Sequence, residues 1–449
     1  MENSKSSKKT AGSAVPGYLV GCVVALFFAW GFSTVLIDSL LPKFKGLFQL
    51  SYTEAALTPF AFFLAYFFIS LPAGYLLTRV GYMRAIVAGL VIMVAGCLMF
   101  SPAAAYGVYA GFLAALFVLA AGITILQVAA NPLIALLGSE ETSSSRLVLA
   151  QALNSFGTFI GPFVGASLIL QNGVVVPANI LDAAPEVLAA YRLQEAHATQ
   201  VPFLGIALIM AILAGIFFLL RRAPGIPAAA PGASSKSGMA LMKQRRLLFG
   251  TICIFIYVGA EVSIGGLMVN YLMQPKTLEA TTRLGSVLSG LLYVLHLIAT
   301  PAVAVTVLAG WLVSFYWGGA MVGRFAGSAI LRVRRPGSVL ATCALGSALL
   351  ASVSGGTAGT VSVLAIIAVG LCNSIMFPTI FTLAIEGLAE NTPKASGLLC
   401  MAIAGGAIIP VITGAVADQT SLSVALLVPV LCYLGIAAYG LASNERLSY

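Results

Sequence analysis

Long apolar runs, broken by short polar segments, recur along nearly the whole chain. A run of roughly 20 apolar residues is long enough to cross a bilayer as a helix. On that rule the pattern predicts helical spans at 18–41, 53–78, 82–101, 107–137, 145–170 and 200–220, and again at 247–273, 307–331, 337–354, 358–388, 395–416 and 421–442. Between the two sets lies a stretch rich in Ala, Pro, Gly and Ser with basic ends, which has no apolar face to bury and predicts a flexible linker over 223–245. The expected fold is therefore an all-α membrane protein of twelve transmembrane helices, with one six-helix bundle over 1–222 and a second over 246–449.

Two segments stand apart from this pattern. The polar stretch at about 171–199 holds Asp182, Glu186, Arg192, Glu195 and His197 and is expected to be a loop on the outer side. Leu284 to Thr306 is apolar and contains His296 and Pro301. It is expected to be a re-entrant or interfacial helix on the outer side, or part of an overlong hairpin, because a thirteenth span would turn the following basic loops outward.

The halves echo each other. Pro132 is followed by Pro162 in Gly157-Thr-Phe-Ile-Gly-Pro162, and Pro378 is followed by Pro410 in Gly405-Gly-Ala-Ile-Ile-Pro410. The loop motif Gly74-x4-Arg79-x-Gly81 has its counterpart in Gly327-x4-Arg332-x-Arg334. Matched features in register imply a duplicated, pseudo-symmetric pair of six-helix bundles.

Composition rules out a water-soluble chain: 60% of the 449 residues are hydrophobic and 8% charged, against about 25% charged in a globular protein. The net charge of +9 does not point to nucleic acid. Lys5, Lys8, Lys9, Arg79, Arg84, Arg146, Arg221, Arg222, Arg245, Arg246 and Arg332 to Arg335 fall on one side of the predicted spans, against Lys43, Lys45, Arg192, Lys276 and Arg283 on the other. That asymmetry is the positive-inside rule and places both termini in the cytoplasm. The seven cysteines lie singly in apolar segments, so neither a metal nor a disulfide is expected. The first apolar run continues through Asp38 with no small-residue cleavage site after it, and reads as a retained span. With no nucleotide-binding motif in sight, transport would draw on an ion gradient or run passively.

Acids at bilayer depth cost about 2.5–3.5 kcal/mol on the insertion scale and normally face the protein interior or a wet cavity. Asp38 in the first span and Glu261 in the seventh are such acids, with a structural hydrogen bond, or a charge pair such as one with Arg324, as the plainer reading. Trp30, Thr34 and Asp38 follow at i, i+4 and i+8 and share a helix face. Thr124, Gln127 and Asn131 do so on the fourth span, and Gln151, Asn154, Ser155 and Thr158 on the fifth. Side-chain amides both donate and accept, which suits the hydroxyls of a sugar, and an aromatic such as Trp30 can cover the apolar face of its ring. Interhelical glue is the bland alternative for these stripes. In the second half Tyr257 and Glu261 stand at i, i+4, with Asn270, Tyr316, Trp317 and Asn373 as candidates to complete a pocket; His197 and His296 have no evident partner.

The strings Trp30-Gly-Phe-Ser-Thr-Val-Leu-Ile-Asp38, Leu126-Gln127-Val-Ala-Ala-Asn131-Pro132, Gln151-Ala-Leu-Asn154-Ser-Phe-Gly157, Tyr257-Val-Gly-Ala-Glu261 and Tyr316-Trp-Gly-Gly-Ala-Met-Val-Gly-Arg324 resemble the fucose–proton symporter and glucose/galactose transporter family of the major facilitator superfamily. The resemblance implies the major facilitator fold and bacterial inner-membrane uptake of a monosaccharide by cation symport. It carries a coupling role onto Asp38 and a binding role onto Asn154, while Gln127 and Glu261 match the glucose/galactose branch rather than the fucose branch. The expected substrate is a hexose such as glucose, galactose or mannose, with fucose or N-acetylglucosamine as alternatives and H+ or Na+ as the coupling ion. The candidate substrate-binding residues are Trp30, Thr34, Asp38, Gln127, Asn131, Gln151, Asn154, Glu261 and Asn373, with Asp38 and Glu261 also coupling the cation. No cofactor, no metal, no nucleic acid and no enzymatic reaction is expected, and the chain is expected to work in the bilayer as a monomer. A drug or metabolite exporter and a non-transporting sugar sensor are the rival readings.

Overall fold

A bilayer core offers no water to satisfy backbone groups, so apolar spans become helices whose hydrogen bonds close internally. In the structure, a computed structural model, residues 17–38, 52–106, 108–169, 186–187, 200–222, 241–295, 297–298 and 305–444 are described. The first half contributes α1 (Gly17–Asp38), α2 (Tyr52–Val80), α3 (Tyr82–Tyr106), α4 (Tyr109–Leu136), α5 (Ser143–Ile169) and α6 (Gln200–Leu220). The second contributes α7 (Arg245–Leu272), α8 (Pro275–Val294), α9 (Val305–Ile330), α10 (Pro336–Gly356), α11 (Gly359–Asn373), α12 (Met376–Ile385), α13 (Thr392–Met401), α14 (Gly405–Gln419), α15 (Leu422–Ala425) and α16 (Leu427–Asn444).

Among the described residues, ten stretches are long and apolar enough to cross a membrane, counting α11 with α12, α13 with α14, and α15 with α16 as continuous spans. α5 and α9 have the length, at 27 and 26 residues, but carry polar groups, among them Gln151, Asn154 and Ser155 on α5 and Arg324 on α9. They complete the twelve. Pro132 and Pro410 are carried inside helices that continue past them. The span expected at 358–388 is broken: α11 stops at Asn373 and α12 restarts at Met376. The span expected from 395 is interrupted by a 3-10 turn at Ala402–Ala404.

The segment expected at 284–306 begins earlier. Gln274 precedes Pro275 at the first helical position, where the missing N–H of proline costs nothing, and α8 runs from there to Val294. Lys276, near its start, donates to the carbonyls of Ser354, Gly355 and Thr357 at 3.2, 3.1 and 3.2 Å, neutralising the C-terminal end of α10. Residues 299–304, His296, His197 and most of the expected 171–199 loop and 223–245 linker lie outside the described residues.

Within the first half α1 packs on α5, and α4 on α2 and α3; within the second α7 packs on α14 and α16, and α10 on α16. The duplicated glycines explain one pair of these crossings. A Cβ on Gly157 would lie 2.4 Å from the carbonyl oxygen of Phe28 on α1, and one on Gly405 would lie 2.0 Å from that of Phe255 on α7. Each half thus uses a glycine to bring a late helix against the backbone of its own first helix.

The loops at Gly81, between Arg79 and Arg84, at 137–142, just before Arg146, and at 331–335 mark one end of the bundle, called the basic end here for those arginines. There the halves meet. α2 crosses α13 with Gly74 against Pro393 and Gly397, close enough that a Cβ on Gly397 would lie 2.7 Å from the Ser70 carbonyl oxygen. α5 lies along α9, where the Ser145 hydroxyl donates to the Ser328 carbonyl at 2.7 Å and the Ser328 hydroxyl returns the bond at 3.1 Å. Ser144 and Thr382 share a hydrogen bond of 2.6 Å, and Ser396 donates to the Val128 carbonyl at 2.7 Å.

Candidate functional site

Above that seal, the polar stripes of the first half face the seam and are tied across its helices. Gln127 Nε2 on α4 donates to the Tyr66 hydroxyl on α2 at 2.6 Å. One turn along α4, Asn131 accepts from Gln151 Nε2 on α5 at 3.4 Å, while the Asn131 Nδ2 group is fully buried and finds no acceptor among the described residues. Asn154 Nδ2 on α5 donates to the Phe27 carbonyl on α1 at 3.0 Å. At 1.5 Å per residue, Gln127 lies about 14 Å and Asn154 about 16 Å from the basic ends of their helices, well inside the bilayer.

Trp30 is buried against Phe27, with ring centroids 4.5 Å apart. The Thr34 hydroxyl donates to the Trp30 carbonyl at 2.9 Å, and the Thr124 hydroxyl to that of Ala120 at 2.8 Å, so both are satisfied within their own helices. Asp38 is the last residue of α1; its side chain lies outside what the structure describes.

The second half presents a denser network. The Tyr257 hydroxyl stands 2.8 Å from Glu261 Oε1 and 3.1 Å from the Asn373 carbonyl, and shares its one hydrogen between them. Asn373 Nδ2 donates to the hydroxyls of Tyr316 and Tyr433, both at 2.9 Å, and Asn373 Oδ1 accepts from Ser347 at 3.0 Å. Tyr316 in turn donates to the Glu261 carbonyl at 3.3 Å. Five helices therefore converge on Asn373, whose side chain is fully buried and committed to protein partners. Glu261 is half-buried and keeps Oε2 free of any hydrogen bond in this network. Trp317 lies edge-on to Tyr316 and packs over Gly265, one turn beyond Glu261, whereas Asn270 is exposed near the end of α7.

One side chain bridges the halves at the floor of this region. Arg324 Nε on α9 donates to the Ser374 carbonyl at 3.0 Å, at the break between α11 and α12, and its Nη1 donates to the Ser155 hydroxyl on α5 of the other half. Of the two plainer readings of Glu261, the ion pair with Arg324 is not formed, while a structural hydrogen bond is, accepted from Tyr257.

The structure thus ties Gln127, Asn131, Gln151 and Asn154 into the packing of the first half, and Glu261 and Asn373 into one network of the second. Tyr66, Tyr433 and Ser347 join the networks without a sequence signal, since each is one more residue in an apolar helix. No group of His, Cys, Asp and Glu among the described residues could hold a metal ion.

The profile described as Major Facilitator Superfamily matches residues 19–409. The glucose/galactose transporter of Brucella abortus biovar 1 is 43% identical over 443 residues, covering 99% of this chain and 98% of its own length. The L-fucose-proton symporter of Escherichia coli K12 is 33% identical, covering 91% of this chain and 89% of its own. A crystal structure of the transporter FucP in the outward conformation superposes with a TM-score of 0.81 at 30% identity, over 96% of this chain and 99% of that one.

Proposed function

The chain belongs to the major facilitator superfamily, and on that premise we propose that it takes up a hexose by symport with a proton through alternating access. It is a multi-pass membrane protein, and its business is transport rather than catalysis. The observation that carries the reading is a set of polar side chains at bilayer depth in both halves, the amides Gln127, Asn131, Gln151 and Asn154 in one and the Tyr257–Glu261 pair in the other, in a bundle whose halves are tied together at the basic end. Amides serve hydroxyls as donor and acceptor at once, and a seam closed on one side only is what alternating access requires. Glucose and galactose stand first among substrates because the Brucella abortus relative carries those names, and a proton first among ions because the fucose relative is named for one.

In this reading the sugar lies between the halves, 1–222 and 246–449 on either side of the 223–245 linker. It meets Trp30, Thr34, Gln127, Asn131, Gln151 and Asn154 from one side and Glu261 from the other. Asp38 and Glu261 carry the coupling charge. Asn373, with its amide spent on two tyrosines and a serine, organises the second wall from behind. The basic end faces the cytoplasm together with both termini, in a bacterial inner membrane. A single chain supplies both walls, so the working unit is a monomer.

Radiolabelled glucose uptake into proteoliposomes, under separate inward proton and sodium gradients, tests the reading. Galactose, mannose, fucose and N-acetylglucosamine serve as competitors. Accumulation under the proton gradient alone, competed best by galactose, is the expected result. Uptake driven by sodium would replace the ion, and no uptake or competition under either gradient would end the sugar assignment.

A further inference from the structure

Arg324 is a full positive charge at the floor of the seam, and it is held by neutral groups. Its donors go to the Ser155 hydroxyl of the first half and the Ser374 carbonyl of the second. No carboxylate oxygen whose position the structure describes lies within ion-pair distance of it. Two features of α9 fit it to this place. Gly323 lets α9 crowd the break between α11 and α12, where a Cβ would lie 2.6 Å from the Leu371 carbonyl oxygen, and Gly327 leaves room for Ile375 and Val148. One turn further, Ser328 exchanges hydrogen bonds with Ser145. Among the described hydrogen bonds between α5 and α9, that of Arg324 is therefore the one nearest Asn154, the neighbour of Ser155.

Opening the basic end must separate α5 from α9, and Ser155 then leaves with the first half. The guanidinium stays with the second, where the half-buried Glu261 is the anion that a buried cation requires. We propose that Arg324 is a state-dependent latch, bound to Ser155 while the basic end is closed and transferred to Glu261 when it opens. Glu261 in its charged form thus favours the opened state by competing for the latch, and its neutralisation returns the latch to Ser155. This makes Arg324 a positioning residue for the conformational step, acting through Ser155 and Glu261 rather than on the sugar. It rests on alternating access and not on the identity of the substrate.

The readout is disulfide formation between cysteines placed at Ser145 and Ser328, whose hydroxyls are 3.3 Å apart, in a background without the native cysteines and with no sugar present. Ser155→Ala, added to that pair, should slow cross-linking at least threefold by loosening the seal. Glu261→Gln should accelerate it, because the competitor for the latch is gone. In an Arg324→Gln background, where neither partner has a latch to hold, both effects should vanish. A parent cross-linking rate in Ser155→Ala would overturn the proposal, as would a slowing by Glu261→Gln or either effect persisting undiminished with Arg324→Gln. Should Arg324→Gln fail to fold, as judged by its melting temperature in detergent, Ser155→Ala and Glu261→Gln decide the matter. Because no sugar is used, failure of the hexose assignment leaves this outcome untouched.

Discussion

Gln127 has two amide hydrogens and a carbonyl, and the Tyr66 hydroxyl takes one of the hydrogens at 2.6 Å, which leaves the rest of the amide for a ligand in a fixed orientation. Tyr66→Phe keeps the ring and frees that hydrogen. A net hydrogen bond is worth about 0.5–1.5 kcal/mol, so the loss of orientation should raise KM for the sugar about 2–10-fold, with little change in maximal rate, in counterflow assays. Asp38 has a different task. Asp38→Asn should abolish gradient-driven accumulation while sparing sugar exchange between preloaded and empty vesicles, because the amide preserves hydrogen bonding but cannot carry the proton. Undiminished accumulation would remove Asp38 from coupling. The polar stripes Gln127, Asn131, Gln151 and Asn154 were legible in the sequence because they recur at helical periodicity in apolar runs, and the structure ties each of them to a neighbouring helix. Tyr66 and Tyr433 were not, because an aromatic in such a run looks the same whether it faces lipid or lends its hydroxyl to an amide. Only the partner from another helix distinguishes them.

Among the elements, the two glycine crossings are the most exposed to test. Gly405 has no room for a Cβ against the Phe255 carbonyl, and neither has Gly157 against that of Phe28. Overpacking costs about 1–3 kcal/mol, and membrane helices that rely on small residues for close approach have little else to hold them. Gly405→Leu and Gly157→Leu should each lower the melting temperature in detergent, whereas Gly266→Leu, with nothing within 4 Å of its Cβ, should not. These motifs were readable as a repeat because the duplication keeps Gly and Pro in register along the chain. The break after Asn373 has a cause in the sequence, since Pro378 has no N–H for the Ser374 carbonyl four residues before it and its ring crowds that carbonyl; what the sequence does not show is that Gly323 of α9 packs there and that the Arg324 guanidinium takes up the freed carbonyl. α8 was misplaced for a related reason. Hydropathy registers where the apolar stretch begins, near Leu284, whereas the helix is set by Pro275 and by Lys276 docked on the end of α10.

At the scale of the whole molecule, twelve spans and two halves follow from hydropathy and charge alone, whereas the state in which the halves are held does not. That state depends on small free-energy differences between two ways of closing one seam, and no periodicity encodes them. The crossing of Gly74 with Gly397 offers a way to move the balance. Both glycines lie where α2 and α13 press together at the basic end, and a side chain on Gly397 would meet the Ser70 carbonyl at 2.7 Å and the Gly74 Cα at 3.3 Å. Those contacts belong to the closed basic end and should be relieved when it opens. Crowding of about 1–3 kcal/mol in one state only would multiply the population of the other by about 5–150-fold. Further along the same interface, about 25 Å from the basic end of α2 and one turn beyond Tyr66, Phe63 lies against Gly406. A cysteine in place of Phe63, in a background without native cysteines, should react with an impermeant maleimide added outside whole cells. Gly397→Leu should slow that reaction several-fold, as the far end closes and the basic end opens. An unchanged rate in a folded Gly397→Leu protein would mean that the glycine crossing is present in both states, and the seam would then have to open by hinging about α2 and α13 rather than by parting them.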